Sequence, residues 1–257
     1  MSKYYYMGTI RFLKSIAVVV RRRILGLIFA PIPIHWWPTW IGNVFDIKVP
    51  SNVERKHLVS PSGGANINIV LVLIDRTAGI CGDIAECGVF KGATLLPIGL
   101  YLRQKGITKR IIGLDSFEGF DGTVAIDIEL GGAADLEKRP GGFNQTSFEY
   151  VTERIAALWL QNRIKLVKGF FADTLPTLPE AKYSFVHLDC DIYNSYKQCL
   201  AYFYERMTPG GIILFDEYND PPWPGCNKAV DEFLADRKEK PQLIEEDGYE
   251  KFFVIKE

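Results

Sequence analysis

The sequence predicts an α/β fold: a doubly wound, mostly parallel seven-stranded sheet that ends in a C-terminal antiparallel hairpin and is preceded by a helical N-terminal extension. Three observations carry this expectation. From about residue 61 onward, apolar runs of strand length alternate with longer stretches of helical period, the pattern of parallel strands joined by crossover helices. The tail, PQLIEEDGYEKFFVIKE, holds two strand-like pieces around Asp247-Gly248, and Asp-Gly between such pieces marks a hairpin. Several apolar runs end in carboxylates, at the strand ends where ligands gather in sheets of this kind.

Taken in order, residues 66–77 (NINIVLVLIDRT) read as a helix, 84–89 as a strand, and 94–105 as a helix carrying Leu95, Leu96, Ile98, Leu100 and Leu102. Residues 110–115 (RIIGLD) read as the second strand, 148–160 as a helix and 163–168 (RIKLVK) as the third strand. The fourth strand is expected at 184–188 with a helix at 193–207, the fifth at 212–215 with a helix at 227–237, and the tail supplies the last two. One stretch breaks the rhythm. Residues 119–144, GFDGTVAIDIELGGAADLEKRPGGFN, are rich in glycine and nearly aperiodic. So long a loop inside a compact domain is functional or disordered. It follows the strand ending at Asp115, so it is expected to lie as a lid over the binding edge.

Residues 1–60 have another texture. The segment TIRFLKSIAVVVRRRILGLIFAPIPIHWWPTW mixes apolar, aromatic and basic residues. Its apolar stretches fall short of the roughly 20 residues of a spanning helix, and Arg21, Arg22 and Arg23 interrupt them. A signal peptide would carry its charges ahead of the apolar region. Two readings remain. The extension packs as a helix on the domain or on a second copy in a homo-oligomer. Alternatively, it lies as an amphipathic anchor on the inner face of a membrane, with Trp36, Trp37 and Trp40 at the interface.

Charge and cysteine usage narrow the classes. With 30 basic and 31 acidic residues among 257, the formal net charge is −1, which excludes the basic footprint of a nucleic-acid binder. The five cysteines form no CxxC pair and no zinc spacing, as expected of reduced thiols in the cytoplasm.

The chemistry is concentrated at strand ends. VHLDCDIYNSY places Asp189 and Asp191 just beyond an apolar run, and GGIILFDEYND does the same with Asp216 and Glu217. Such carboxylates repel one another near a core, so a positive partner is required, and a metal ion is the first suspect. IAECGVFKGAT makes a glycine turn from Glu86, Gly88 and Gly92 between a strand and a helix. Glycine admits close backbone approach, and a helix N-terminus favours negative charge. The spacing is not GxGxxG, which disfavours a dinucleotide. Asp115 ends the next strand, placed to take ribose hydroxyls. A nucleoside cofactor without a pyrophosphate fits this set, and S-adenosylmethionine is one.

In these stretches the chain resembles the TylF-type macrocin O-methyltransferases, through GDIAECGVFKGAT, IIGLDSFEGF, LVKGFFADTLP, FVHLDCDIYNSY and PGGIILFDEY in that order. The resemblance runs from about Asn66 to Val254. It implies a class I methyltransferase domain over 61–257, S-adenosylmethionine as donor, and a divalent ion, usually Mg²⁺. It also implies that Glu86, Gly88, Asp115 and Ser116 hold the donor and that Asp173 lies near its adenine. Asp189, Asp216 and Glu217 would bind the metal, leaving Asp191 as general base. Two departures are visible: Cys190 stands where glycine or alanine is commoner, and the second pair is Asp-Glu rather than Asp-Asp. The expected acceptor is a hydroxyl on a small molecule or glycoconjugate, foremost a sugar on a natural product, glycolipid or polysaccharide precursor. The alternatives are a phenolic or catechol acceptor, and an inactive interaction protein at the membrane surface. His187, inside a strand, is expected to be a hydrogen-bonded wall residue rather than a base.

Overall fold

The computed structural model describes residues 64–121, 125–131, 141–246 and 248–257. The extension expected at 1–60 lies outside them, as do Asp247 and two parts of the expected lid.

Seven strands form one sheet: β1 (Asp83–Cys87), β2 (Ile111–Asp115), β3 (Ile164–Lys168), β4 (Tyr183–Leu188), β5 (Met207–Phe215), β6 (Gln242–Glu246) and β7 (Tyr249–Ile255). Their order is β3-β2-β1-β4-β5-β7-β6. The pairs from β3 to β5 are parallel, whereas β7 runs antiparallel to both β5 and β6. The helices are α1 (Gly64–Arg76), α2 (Leu95–Lys105), α3 (Ala125–Leu130), α4 (Phe148–Ala157), α5 (Phe171–Thr174), α6 (Tyr193–Tyr204) and α7 (Pro224–Leu234). Among the described residues, no helix is long and apolar enough to cross a membrane.

The central strands are apolar on both faces because both faces are covered. Along β5, Ile212 and Leu214 join one core with α1, α2 and α4, while Ile213 and Phe215 join the other with α6 and α7. This period-two division repeats on β1, where Ile84 faces the first core and Ala85 and Cys87 the second. Two elements begin three residues or more before the start the sequence predicts. The strand expected at 212–215 starts at Met207, because Met207 pairs with Tyr183 across a register shift. The helix expected at 227 starts at Pro224, since proline fits the first turn, where its missing N–H is not needed.

The expected lid is tied at its base. Phe120 N–H donates to Gly142 O at 3.1 Å, and Gly141 N–H donates to Phe120 O at 2.7 Å. Within it, α3 presses Asp127 against the N-termini of α6 and α7. A side chain at Gly225 would have its Cβ 1.7 Å from Asp127 Oδ1.

Candidate active site

The carboxyl ends of β1, β2, β4 and β5 surround one cavity of about 540 Å³. Its first half is built by the loop after β1. Gly88 has φ of +91°, and a Cβ there would sit 1.6 Å from Asp189 O, so only glycine lets this loop lie against the end of β4. Its N–H donates to Leu114 O at 2.9 Å. The Asp115 carboxylate then gathers the surrounding backbone. Its Oδ2 accepts from Val89 N–H at 2.8 Å and Phe90 N–H at 2.7 Å, and its Oδ1 accepts from Phe117 N–H at 2.6 Å. Phe90 and Phe117 both hold positive φ, +47° and +55°, an uncommon state for bulky residues. These three bonds take three of the roughly four lone-pair positions of the carboxylate.

The other residues expected around the donor divide. Glu86, Gly88, Asp115 and Ser116 line the cavity, and Ser116 Oγ donates to Gly119 O at 2.7 Å. Gly92 instead packs behind the loop against Val151 and Leu96. Asp173 stands exposed on α5, while Gly169, Phe170 and Phe171 beside it reach the cavity wall.

The second half holds the carboxylates. Asp189, Asp191, Asp216 and Glu217 all line the cavity. Asp191 has φ of +60°, and Ile192 N–H donates to Cys190 O at 2.6 Å. The bond closes a γ-turn of the rare positive-φ form, which is strained, and strain of this kind concentrates at functional sites. The cap residue of α6 is Ile192, and Asp127 Oδ1 accepts the Tyr193 N–H at 3.0 Å. An aromatic wall stands nearby, with Phe120 and Phe143 5.5 Å apart and Trp223 6.1 Å from each.

The electrostatics beneath the carboxylates are partly solved within the chain. In register, Glu86 of β1 pairs with His187 of β4. His187 Nε2 lies 3.2 Å from Asp216 Oδ1, and Nδ1 lies 3.5 Å from Glu86 Oε1. Lys251 of β7 sets its ammonium 2.9 Å from Asp216 Oδ2. Burial opposes charge on His187, but its bond to Asp216 and the Glu86 carboxylate 3.5 Å away outweigh it and hold its pKa up at about 10. It is a buried wall residue bonded through Nε2 to Asp216. Burial also works against ionised Asp216, yet Lys251 and His187 hold it well below the usual carboxylate range. The neighbours behave oppositely. Burial lifts Glu86 to about 7. Burial and the charge of Asp216 lift Asp189 to about 6. Burial, then Asp191, Asp189 and Asp216, drive Glu217 far up.

Glu217 shows what this means for protons. Tyr196 Oη lies 2.8 Å from Leu188 O and 2.5 Å from Glu217 Oε2. A single hydroxyl proton serves one of them. When Glu217 is protonated it donates to Tyr196, which donates to Leu188. A cation that ionised Glu217 would let Tyr196 turn its proton to Oε2.

Asp189, Asp216 and Glu217 each bring a carboxylate oxygen within 4.8 Å of the others. These are hard oxygen donors of the kind Mg²⁺ takes, and a cation among them would reverse the upward shifts of Asp189 and Glu217. The residues present fit a divalent ion. A second group, Glu86, His187 and Asp189, is equally close, but His187 is already engaged through Nε2 by Asp216.

The sheet order, with its antiparallel β7 inserted beside β5, and the ligand cavity at the carboxyl ends define a class I methyltransferase fold, one that binds S-adenosylmethionine. Solved structures of that fold superpose over almost the whole chain. The O-methyltransferase NovP matches with a TM-score of 0.66 at 20% identity, covering 95% of this chain and 99% of its own. A calicheamicin methyltransferase matches with a TM-score of 0.63 at 20% identity, covering 92% and 91%. The sequence profile of the macrocin-O-methyltransferase (TylF) family matches residues 68–254, and the chain belongs to that family. Among curated relatives, the mycinamicin III 3''-O-methyltransferase of Micromonospora griseorubida is 27% identical over 66% of this chain and 66% of its own. A rhamnosyl-tetracenomycin-C 4'-O-methyltransferase of Streptomyces olivaceus is 30% identical over 66% of this chain and 64% of its own. The chain thus spans just under two thirds of the length of these relatives.

Proposed function

We propose that this protein is an S-adenosylmethionine- and Mg²⁺-dependent O-methyltransferase acting on a sugar hydroxyl of a natural product, glycolipid or polysaccharide precursor. One observation supports this reading most: a single cavity joins the Asp115-braced glycine loop to a cluster of carboxylates fit for a divalent ion. Its volume is that of a small-molecule site. The activity named for the Streptomyces olivaceus relative, on a rhamnosyl group, favours a sugar acceptor.

In this reading the loop from Gly88 to Phe90, with Asp115 and Ser116, holds the donor. Asp189, Asp216 and Glu217 would hold the ion, which supplies a Lewis acid that lowers the pKa of the acceptor hydroxyl. The side chains orient and deprotonate. Asp191, fixed in its γ-turn, takes the hydroxyl proton. The acceptor oxygen attacks the methyl carbon, forming the C–O bond as the C–S bond breaks, and the electron pair stays on sulfur. Phe120, Phe143 and Trp223 keep water from that side. Residues 61–257 are then the catalytic domain of a cytoplasmic enzyme. Residues 1–60 are an extension that packs on protein or touches the inner membrane face.

The test combines calorimetric titration with S-adenosylmethionine and transfer of labelled methyl to sugar-bearing and phenolic acceptors, in Mg²⁺ and in excess chelator. Donor binding and chelator-sensitive labelling of sugars are expected. No donor binding, or full transfer in chelator, rejects the reading. Label on phenols alone moves the acceptor to that class.

A further inference from the structure

We propose that Lys251 is a built-in competitor of the divalent ion: its ammonium and the ion are alternative counter-charges of Asp216, and Lys251 sets how much free metal the site needs. This rests on the metal reading above and goes beyond it. In the antiparallel ladder, Phe215 pairs with Phe252. One step further, Asp216 and Lys251 therefore face each other. The lysine is 9% exposed. It grips one residue twice, reaching Asp216 Oδ2 at 2.9 Å and donating also to the Asp216 carbonyl. His187 holds Oδ1, so both oxygens of this expected metal ligand already have a partner from the chain.

A lysine is an expensive way to support the end of β5. On β7 it stands between Glu250 and Phe252, with Phe253 and Val254 beyond, and a buried ion pair is often no more stabilising than an apolar pair of similar volume. The charges explain its place. Glu86, Asp189, Asp191 and Glu217 line the same cavity as Asp216, and Lys251 sets its ammonium against that group. Before the ion arrives, Lys251 keeps Asp216 from being a buried, uncompensated carboxylate. Once it arrives, the lysine repels it and keeps the site exchangeable. Even at the dielectric constant of water, a divalent and a unit charge about 5 Å apart repel enough to change affinity roughly tenfold.

The test is Mn²⁺ binding to the full-length chain near neutral pH, read by loss of the free-ion electron paramagnetic resonance signal, for the native protein, Lys251→Met and Lys251→Arg. Lys251→Met is expected to bind Mn²⁺ at least about tenfold tighter, and Lys251→Arg about as the native chain does. Mn²⁺ held by Lys251→Met alone supports the proposal in its strongest form. Equal affinity of the native chain and Lys251→Met overturns it and leaves the metal reading standing, whereas no binding by either overturns both. If the methionine variant does not fold, Lys251→Gln, which can still bond the Asp216 carbonyl, carries the same measurement with the same outcomes.

Discussion

Asp115 and Asp189 stand at the carboxyl ends of the two strands that flank β1, yet their surroundings are opposite. Asp115 is satisfied by the backbone: three N–H groups from two loops turn inward to it. Asp189 has carboxylates for neighbours, and burial with the charge of Asp216 lifts it to about 6. The loop after β4 spends its inward N–H on itself, closing the γ-turn from Ile192 to Cys190. A strand end, therefore, does not decide what its carboxylate does. The turn that follows decides whether backbone donors or an outside charge complete it.

The comparison can be broken at several points. On the Asp189 side, Asp191→Asn is expected to slow methyl transfer by about 10²–10⁴-fold, as for loss of a general base, with donor and Mn²⁺ affinities unchanged. Single-turnover kinetics across a metal titration checks this, and a rate restored by more metal would make Asp191 a ligand. Gly88→Ala strikes the seam between the two sides. The clash with Asp189 O and the positive φ should cost more than about 3 kcal/mol, and a native-like denaturation midpoint would refute the close approach.

The two sides should also differ in their response to pH. Asp189 has a folded-state pKa above its ordinary 3.8, so it favours the fold fully below about pH 4, and that contribution is lost as pH rises through about 6. Glu86, lifted to about 7, acts in the same direction. An ion that binds the ionised carboxylates returns up to about 3 kcal/mol at pH 7.5. Thermal melts should therefore show a large Mg²⁺- or Mn²⁺-induced rise at pH 7.5 and almost none at pH 4.5; equal rises would remove the carboxylates from the metal site.

Asp115→Ala leaves three backbone donors without their acceptor. It should lower stability by about 2 kcal/mol and weaken donor binding together with it. Calorimetry that shows lost donor affinity in a protein of native stability would make Asp115 a ribose ligand and not a brace. The smallest effect is expected at Asp127, which caps α6 across the lid. Asp127→Ala should cost about 1 kcal/mol, while Asp127→Asn, an equally good cap, should change almost nothing.

The sheet was legible because its strands are apolar runs between turn residues, and the site because carboxylates follow those runs directly. Asp189, Asp216 and Glu217 come together as their strand-end positions suggested. What escaped the sequence depends on register. Lys251 lies 35 residues from Asp216, and only the antiparallel pairing of β5 with β7 brings them opposite. Its signal was a single lysine inside the apolar strand YEKFFVI, which reads as an exposed position until the pairing is known. Asp127 and Tyr196 escaped for the same reason, since Asp127 lies in an aperiodic stretch and Tyr196 reads as ordinary helix core. The role of Asp115 was half legible. Its place at a strand end could be read, but the two phenylalanines with positive φ that it restrains could not. The short helices α3 and α5 are too brief to show a period.

The two backbone bonds between Phe120 and the Gly141–Gly142 pair make the chain leave the sheet and return at one point. A loop closed at its base adds little entropy cost as it lengthens, and the strands on either side do not register what it contains. Apart from α3, which Asp127 ties to α6 and Ile126 to the core, the stretch is thus an exchangeable cassette. Its sequence and length can drift under selection for a new acceptor while the donor loop and the carboxylates stay in place, so descendants of one scaffold could diverge in what they methylate long before they diverge in how.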